Sequence, residues 1–276
     1  MFTLNCKGKL LSLQNPLVMG IINLTTDSFY KQSRVQSTDD ILLHAEKMLS
    51  DGADILDIGA QSTRPGSERI SADDELKNLL PAIDLILKKF PASIISVDTY
   101  YAKVAKETVA AGASIINDIS AGNMDEQMIT TVGKLNVPYI CMHMQGTPEN
   151  MQHHPVYENL TRNVLDFFIA KIDECKTAGI KDVIIDPGFG FGKTINHNFE
   201  LLKHLSVFKM LDKPILAGIS RKSTIYKTLK IPVGESLNGT TVLNTLALQN
   251  GANILRVHDV REAKEAVILF QKYLYA

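Results

Sequence analysis

The sequence predicts an α/β protein that folds as one (β/α)8 TIM barrel, preceded by a short N-terminal β-hairpin. Short apolar runs of strand length alternate with longer stretches of helical periodicity, about eight times along the chain. No linker-like segment interrupts this alternation, and 276 residues suffice for one barrel. We therefore predict a single domain over 1–276, with the hairpin in 1–15 and the barrel in 16–276.

The first element is the hairpin. Residues 2–13, FTLNCKGKLLSL, alternate roughly between apolar and polar side chains. Lys7-Gly8 lies in the middle of this segment, and glycine is favoured in tight hairpin turns. We expect two short antiparallel strands that precede the barrel.

The barrel strands are predicted from apolar runs, several of them rich in β-branched residues. Glycines precede several of these runs, as expected where a helix ends and the chain turns back towards a strand. The predicted strands are 17–23, 54–59, 93–98, 114–117, 137–143, 183–186, 214–218 and 253–257.

Helices are predicted between the strands, and many begin with a capping residue or with acids in the first turn. Ser71-Ala72-Asp73-Asp74 is one example. The predicted helices are 38–50, 72–89, 101–111, 124–134, 157–178, 197–209, 222–229, 236–250 and 260–274. Periodicity alone leaves a doubly wound parallel sheet open as the alternative to the barrel.

Composition narrows the classes of protein. Apolar residues make up 45% and charged residues 21%, and the formal net charge is −1. This balance argues against a general nucleic-acid or membrane-surface binder. Three cysteines without metal-type spacing fit a reducing compartment, and the N-terminus lacks the features of a signal peptide. We expect a cytoplasmic location, with no nucleic-acid or membrane partner.

Polar residues recur where the predicted strands end. These residues are Asn23, Asp57, Asp98, Asn117, His143, Asp186, Arg256 and His258. In a barrel the carboxyl ends of the strands converge on one face, which is where active sites lie. The converging acids, amides and bases predict a site for a flat polar molecule that makes many hydrogen bonds and carries an anionic part.

The segment 182–194, DVIIDPGFGFGKT, places Asp186 directly after an apolar strand. A carboxylate there is costly to bury unless a partner or ligand pairs with it. The glycines that follow allow a close approach of the backbone. Pro187 and Lys193 occupy positions where a P-loop and a dinucleotide-binding loop, respectively, require glycine, so neither nucleotide motif fits.

Several motifs follow one another along the chain. They are MGIINLTTDSF (19–29), DIGAQSTRPG (57–66), SVDT (96–99), IINDIS (115–120), MHMQGTPENM (142–151), IDPGFGFGKT (185–194), GISRKS (218–223) and RVHDV (256–260). In this order they resemble the motifs of the dihydropteroate synthases, pterin-binding enzymes with a TIM barrel. Each is moderately specific alone, whereas the ordered set is very specific and covers the whole barrel.

The resemblance implies a transferase of folate biosynthesis. Such an enzyme joins 6-hydroxymethyl-7,8-dihydropterin diphosphate to 4-aminobenzoate, and 7,8-dihydropteroate and diphosphate are the products. It implies Mg²⁺ as cofactor, a homodimer, and a protein of the class that sulfonamides target. It also implies that loops 24–36 and 60–70 close over the substrates.

The resemblance further implies roles for the pterin-binding residues. Asp186 accepts two adjacent N–H groups of the pterin, as a carboxylate does from an arginine fork. Asp98 and Asn117 contact the other edges of the ring. Lys222 touches the pterin near the aminobenzoate, and Arg256 lies against the pterin.

The remaining implied contacts belong to the diphosphate and the aminobenzoate. Asn23 binds Mg²⁺, while Thr63, Arg64 and His258 contact the diphosphate. The implied contacts of 4-aminobenzoate are Phe29, Pro65 and Ser223, the last at a helix start. Met142 and Phe191 line the pterin pocket on this interpretation, although core packing explains them equally well.

The chain departs from the family pattern in both loops. Thr26 and residues 30–33 replace a proline and a Ser-Asp-Gly-Gly segment, and Ala60-Gln61 replaces Gly-Glu. Two other functions stay open: a methyltransferase on the same pterin-binding barrel, and a pterin-binding protein without catalysis. We expect Arg221 to point away into a salt bridge, and Lys193 to have a structural role in its loop or at an interface.

Overall fold

The computed structural model describes residues 2–24, 38–61, 69–151 and 155–276, with Thr38 described by its backbone alone. The hairpin consists of β1 (Thr3–Cys6) and β2 (Lys9–Ser12), which pair antiparallel. Lys7 and Gly8 form its turn with φ angles of 53° and 88°. Positive φ at both turn positions is typical of the tight hairpin turn that the sequence predicts.

Eight parallel strands form the barrel in the described part of the chain. They are β3 (Leu17–Asn23), β4 (Ile55–Gly59), β5 (Ile95–Asp98), β6 (Ile115–Asp118), β7 (Tyr139–Met142), β8 (Val183–Asp186), β9 (Leu216–Ala217) and β10 (Ile254–Val257). Their order is β8-β7-β6-β5-β4-β3-β10-β9. A parallel bridge between Ile185 and Ile215 joins the two outer strands. This closure excludes the doubly wound sheet.

The α-helices surround the barrel. They are α1 (Thr38–Ser50), α2 (Ala72–Lys89), α3 (Ala102–Ala110), α4 (Met128–Leu135), α5 (Leu160–Thr177), α6 (Ile195–Lys203), α7 (Ser223–Leu229), α8 (Leu237–Gln249) and α9 (Val260–Leu274). Gly52, Gly112, Gly179 and Gly251 have positive φ at the turns after α1, α3, α5 and α8. Their role in ending these helices, predicted from the sequence, agrees with that backbone conformation.

Several predicted bounds differ from those of the structure by a few residues, and two elements differ in extent or kind. The stretch 197–209 is not one helix, because α6 ends at Lys203 and a 3₁₀ segment, Leu205–Leu211, follows it. The strand predicted at 214–218 is shorter in the structure and comprises only Leu216–Ala217. Proline at 214 has no N–H to donate to a neighbouring strand, which accounts for the late start.

The hairpin closes the floor of the barrel. Leu4 and Cys6 are buried and pack with apolar residues at the start of the strands, among them Leu17 and Ile55. The backbone N–H of Asn5 donates to the Asp182 carboxylate over 2.7 Å. The hairpin thus covers the end of the barrel where the strands begin. The carboxyl ends of the strands form the open mouth at the other end. No helix among the described residues is long and apolar enough to cross a membrane.

Candidate active site

The mouth of the barrel gathers most of the predicted site residues that the structure describes. Asn23, Asp98, Met142 and Asp186 are the last residues of their strands, and Asn117 and Arg256 are the last but one. Lys222 and Ser223 follow β9, and His258 follows β10. Phe29, Thr63, Arg64 and Pro65 lie outside the described residues, as do the departures at Thr26 and 30–33.

Arg256 is bound between two acids at the mouth. Its Nε donates to Asp57 Oδ2 and one terminal nitrogen donates to Asp98 Oδ2, both over 2.6 Å. Asn117 Nδ2 donates to the same Asp57 oxygen over 3.1 Å. The other Asp57 oxygen is buried and has no hydrogen-bond partner among the described residues. One carboxylate therefore orients both a cation and an amide.

Burial and neighbouring charges shift the pKa values of Asp98 and Arg256. Desolvation raises the pKa of Asp98 to about 7, and the neighbouring Arg256 opposes that rise. For Arg256, desolvation lowers the pKa, but Asp57 and Asp98 outweigh it, so the pKa rises overall. Arg256 is therefore a permanent cation, whereas Asp98 titrates close to neutrality.

A second pair of opposite charges lies across the mouth. Asp186 is 5% exposed, and its Oδ1 accepts a hydrogen bond from the Gly188 N–H over 2.8 Å. Burial raises the pKa of Asp186, while the charge of Lys222 opposes this. Burial lowers the pKa of Lys222 to about 8, and Asp186 opposes that shift. A flat ligand that forms hydrogen bonds with both charged groups would offset part of the free-energy cost of burying them.

The Gly-rich loop supplies further contacts for Lys222. The Lys222 ammonium donates to the backbone carbonyl of Phe189. It also lies over the Phe191 ring, 4.7 Å from the ring centroid, a cation–π geometry. Phe191 is half-buried and Met142 is buried, and both belong to a small apolar cluster that also contains Ile119. An apolar wall thus stands beside the charged groups.

Two further basic residues follow the strands. His258 Nδ1 lies 3.1 Å from Ser220 Oγ, and the His258 N–H donates to the same hydroxyl over 3.2 Å. Arg221 makes a two-pronged ion pair with Asp259, with both N–O distances 2.8 Å. Arg221 therefore points away from the mouth into a salt bridge, as the sequence predicts.

Comparison with known proteins decides the family. A sequence model described as a pterin binding enzyme matches residues 19–258. The dihydropteroate synthase of Haemophilus influenzae is 42% identical over 270 residues, which cover 97% of this chain and 98% of that relative. The chain belongs to the dihydropteroate synthase family.

Solved dihydropteroate synthases have the same fold. The enzyme of Yersinia pestis, in a sulfonamide drug complex, is 40% identical with a TM-score of 0.96, and all of both chains is covered. The enzyme of Xanthomonas albilineans, in complex with 7,8-dihydropteroate, is 33% identical with a TM-score of 0.85 over 99% of both chains. The predictions of a TIM barrel and of a transferase are confirmed, and membership argues against the methyltransferase and the non-catalytic protein.

Within this dihydropteroate synthase family member, some residues of the mouth have functions that the sequence did not reveal. Asp57 stands at a predicted strand end, yet only the structure shows that it orients Arg256 and Asn117. Ser220 supports His258, and its place in the GISRKS motif is the only signal in the sequence. Asp118 accepts hydrogen bonds from the Tyr139 hydroxyl and from the neighbouring turn, which makes it a packing residue.

Proposed function

We propose that this chain catalyses the dihydropteroate synthase reaction, the condensation of 6-hydroxymethyl-7,8-dihydropterin diphosphate with 4-aminobenzoate. The observation that carries the proposal is the buried Asp186 carboxylate at the mouth, beside Lys222 and an apolar wall. A 2-amino-4-oxo pterin presents two adjacent N–H donors on one edge, and one carboxylate accepts both. Family membership supports the same reaction.

The other pterin contacts follow from the charged groups around the mouth. Asp98 accepts from the ring, and Asn117 can both donate and accept because its amide has an oxygen and an NH₂ group. Asp57 restrains the orientations of Arg256 and Asn117, with contacts of 2.6 and 3.1 Å. The pterin therefore meets groups that are already oriented, which reduces the entropy lost on binding.

Asn23 is the proposed Mg²⁺ ligand. It ends β3 at the mouth and is half-buried. No cluster of three or more His, Cys, Asp or Glu side chains suited to a metal occurs in the described part of the chain. Mg²⁺ commonly binds through one or two protein oxygens together with substrate phosphates and water, so a single amide oxygen fits. When bound, Mg²⁺ would neutralise charge on the leaving diphosphate.

The chain's own residues then favour departure of the diphosphate. His258, with Thr63 and Arg64, binds the diphosphate oxygens and stabilises the charge that develops on them. The C–O bond breaks with its electron pair on the diphosphate, and a delocalised dihydropterin cation remains beside Asp98 and Asp186. The amine of 4-aminobenzoate attacks the methylene carbon and loses a proton. The enzyme forms no covalent intermediate.

The aminobenzoate is proposed to sit above the pterin. Ser223 is the first residue of α7, where backbone N–H groups have no partner within the helix and suit a carboxylate. Phe29 and Pro65 complete this part of the site in the proposal. Phe191 and Met142 form the apolar wall.

Release of diphosphate tests the reaction directly. The wild-type chain, supplied with pterin diphosphate, Mg²⁺ and 4-aminobenzoate, should release diphosphate and form dihydropteroate. Asp186→Asn should lower kcat/KM on the order of 10²-fold, because the neutral amide loses one acceptor and the charge. Asp182→Asn, at the floor end of β8, is the matched control and should leave kcat/KM unchanged. Near-normal turnover of Asp186→Asn would refute the anchor.

We also propose a homodimer that forms through α8 and α9. Val242, Leu246, Leu269 and Tyr273 on these helices are between 40% and 73% exposed. A groove between the two helices is lined partly by Ala266 and Phe270. An apolar face of this kind favours association with a second copy. A cytoplasmic location stays a prediction from the sequence.

A further inference from the structure

Lys193 is a buried cation that the proposed reaction does not use. It is 2% exposed, and it follows the last glycine of the loop after β8. Its Nζ lies 2.9 Å from His143 Nδ1, 3.0 Å from the Gly188 carbonyl oxygen and 3.0 Å from the Phe191 carbonyl oxygen. The His143 carbonyl oxygen is 3.3 Å away. Four acceptors therefore surround one ammonium group.

The acceptors belong to two different segments. Gly188 and Phe191 lie in the loop after β8, whereas His143 follows β7. An ammonium has three donors and no lone pair, so His143 Nδ1 accepts and its ring is neutral. Burial, followed by the charge of Lys193, lowers the pKa of His143 to about 2. Burial lowers the pKa of Lys193 to about 7, and Asp186 opposes that shift.

The backbone of the two segments is in close contact around this ammonium. A Cβ at Gly188 would lie 1.9 Å from the His143 carbonyl oxygen, and one at Gly192 would lie 2.5 Å from the Gln145 carbonyl oxygen. Both glycines have positive φ, at 72° and 60°. Only glycine allows such an approach. The Lys193 ammonium therefore links two backbone segments that touch without side chains between them.

The same loop carries groups of the pterin site. The Gly188 N–H donates to Asp186 Oδ1. The Phe189 carbonyl accepts from Lys222, and the Phe191 ring lies under the Lys222 ammonium. A shift of the loop would therefore move the partners of both Asp186 and Lys222.

We propose that Lys193 is a positioning residue, whose ammonium group ties loop 188–192 to the end of β7 and so sets Asp186, Lys222 and Phe191 for the pterin. This inference rests on the proposed function, because it assigns Lys193 to the pterin subsite of that reaction. Lys193 itself touches no substrate.

Binding of a pterin alone tests this role without turnover. Calorimetric titration with 6-hydroxymethylpterin is compared for wild type, Lys193→Met, Lys193→Arg and the exposed control Lys203→Met. We expect Lys193→Met to bind roughly 10-fold to 100-fold more weakly, because it loses charged hydrogen bonds. Lys193→Arg should recover part of the affinity, and Lys203→Met should bind as wild type. Amide exchange in 187–194 should accelerate in Lys193→Met and stay unchanged elsewhere.

The relative pterin affinities of Lys193→Met and Lys193→Arg distinguish a positioning role from a side chain that only fills space. A side chain that only fills volume predicts that Lys193→Met binds better than the bulkier Lys193→Arg, and that order would overturn the proposal. So would a folded Lys193→Met that binds within about twofold of wild type. If Lys193→Met does not fold, Lys193→Gln replaces it under the same criteria. If the wild type released no diphosphate, the proposed function would be contradicted. The binding test would still decide the role of Lys193, because it measures pterin affinity without turnover.

Discussion

Arg256 depends on two carboxylates for its place at the mouth of the barrel. Asp57 is fully buried and meets Arg256 Nε over 2.6 Å, and Asp98 meets the other side of the guanidinium. Removing one partner of a buried ion pair leaves the other charge without compensation, which costs more than the pair contributes. We therefore expect single substitutions in this network to affect both stability and pterin binding.

Asp57→Asn tests this network. We expect the free energy of unfolding to fall by roughly 3 kcal/mol, since Arg256 then keeps only Asp98 as a charged partner. Pterin affinity should fall as well, because Arg256 and Asn117 lose their common acceptor charge. Urea denaturation and pterin titration measure the two effects. Asp84→Asn, which breaks an exposed pair with Lys88, should change stability by less than about 1 kcal/mol. Equal effects of the two substitutions would contradict the assignment.

The pH dependence of kcat/KM should include the titration of two residues of the mouth, Asp98 and Lys222. The pKa of Asp98 is raised to about 7, so its carboxylate, and with it kcat/KM, is lost as pH falls below that value. The pKa of Lys222 is lowered to about 8, so its ammonium is lost as pH rises above that value. The profile of kcat/KM, measured between about pH 6 and pH 9, should be bell-shaped.

Substitution of Lys222 identifies the alkaline limb of this profile. In Lys222→Arg the cation persists at every accessible pH, so the limb should move to higher pH while kcat/KM falls. Glu75→Gln is the control, because burial raises the pKa of Glu75 to about 8 as well. This substitution should leave the alkaline limb in place. An alkaline limb that stays unmoved in Lys222→Arg would assign it to a different group.

At the scale of elements, α2 buries an acid in its first turn. Glu75 is fully buried, and no cation pairs with its carboxyl group in the described part of the chain. Burial raises the pKa of Glu75 from 4.5 to about 8, while Thr99 opposes the rise. The folded state thus holds a proton that the unfolded state releases near pH 4.5.

Stability should therefore fall as pH rises from about 4.5 to about 8, by up to about 1.4 kcal/mol per pH unit from this group. Glu75→Gln has no proton to release, so it should be more stable than wild type at pH 8 and similar to it near pH 4.5. Thermal unfolding at both pH values measures this difference. Parallel stability curves for the two proteins would show that Glu75 is not held neutral.

The hairpin offers a second test at the element scale. Leu4 is 1% exposed at the barrel floor, whereas Leu10 on the partner strand is 75% exposed. Leu4→Ala should lower the free energy of unfolding by roughly 2–5 kcal/mol, and Leu10→Ala should have little effect. Urea denaturation measures both. Because the floor is opposite the mouth, kcat should stay unchanged in Leu4→Ala at a temperature where it is folded. A loss of kcat there would link the floor to catalysis.

At the scale of the whole molecule, the outer face of α8 and α9 should set the oligomeric state. We expect wild type to sediment as a dimer and the double variant Leu269→Glu and Tyr273→Glu to sediment as a monomer, because both side chains are at least 70% exposed on that face. Leu43→Glu, 61% exposed on α1, is the control and should stay dimeric. A monomeric wild type, or a double variant that stays dimeric, would contradict the proposed face.

Prediction from the sequence was strongest for features that depend on neighbouring residues. The strand 183–186 and the helices 38–50, 72–89 and 260–274 have the predicted bounds, since apolar periodicity and capping are local signals. The candidate site residues at strand ends could be placed at the mouth because parallel strands in a barrel end on the same face. The role of Asp57 could not be predicted, because its partner Arg256 lies 199 residues away in the chain.

The sequence by itself determined the barrel, the family and the set of polar residues at its mouth, because periodicity and ordered motifs are written along the chain. Only the tertiary structure decided which of those residues pair. It joined Arg256 to Asp57 and Asp98, directed Arg221 to Asp259, and surrounded Lys193 with four acceptors. The physical reason is that the balance of desolvation and charge at each buried group depends on the atoms within a few ångströms, which only folding brings together.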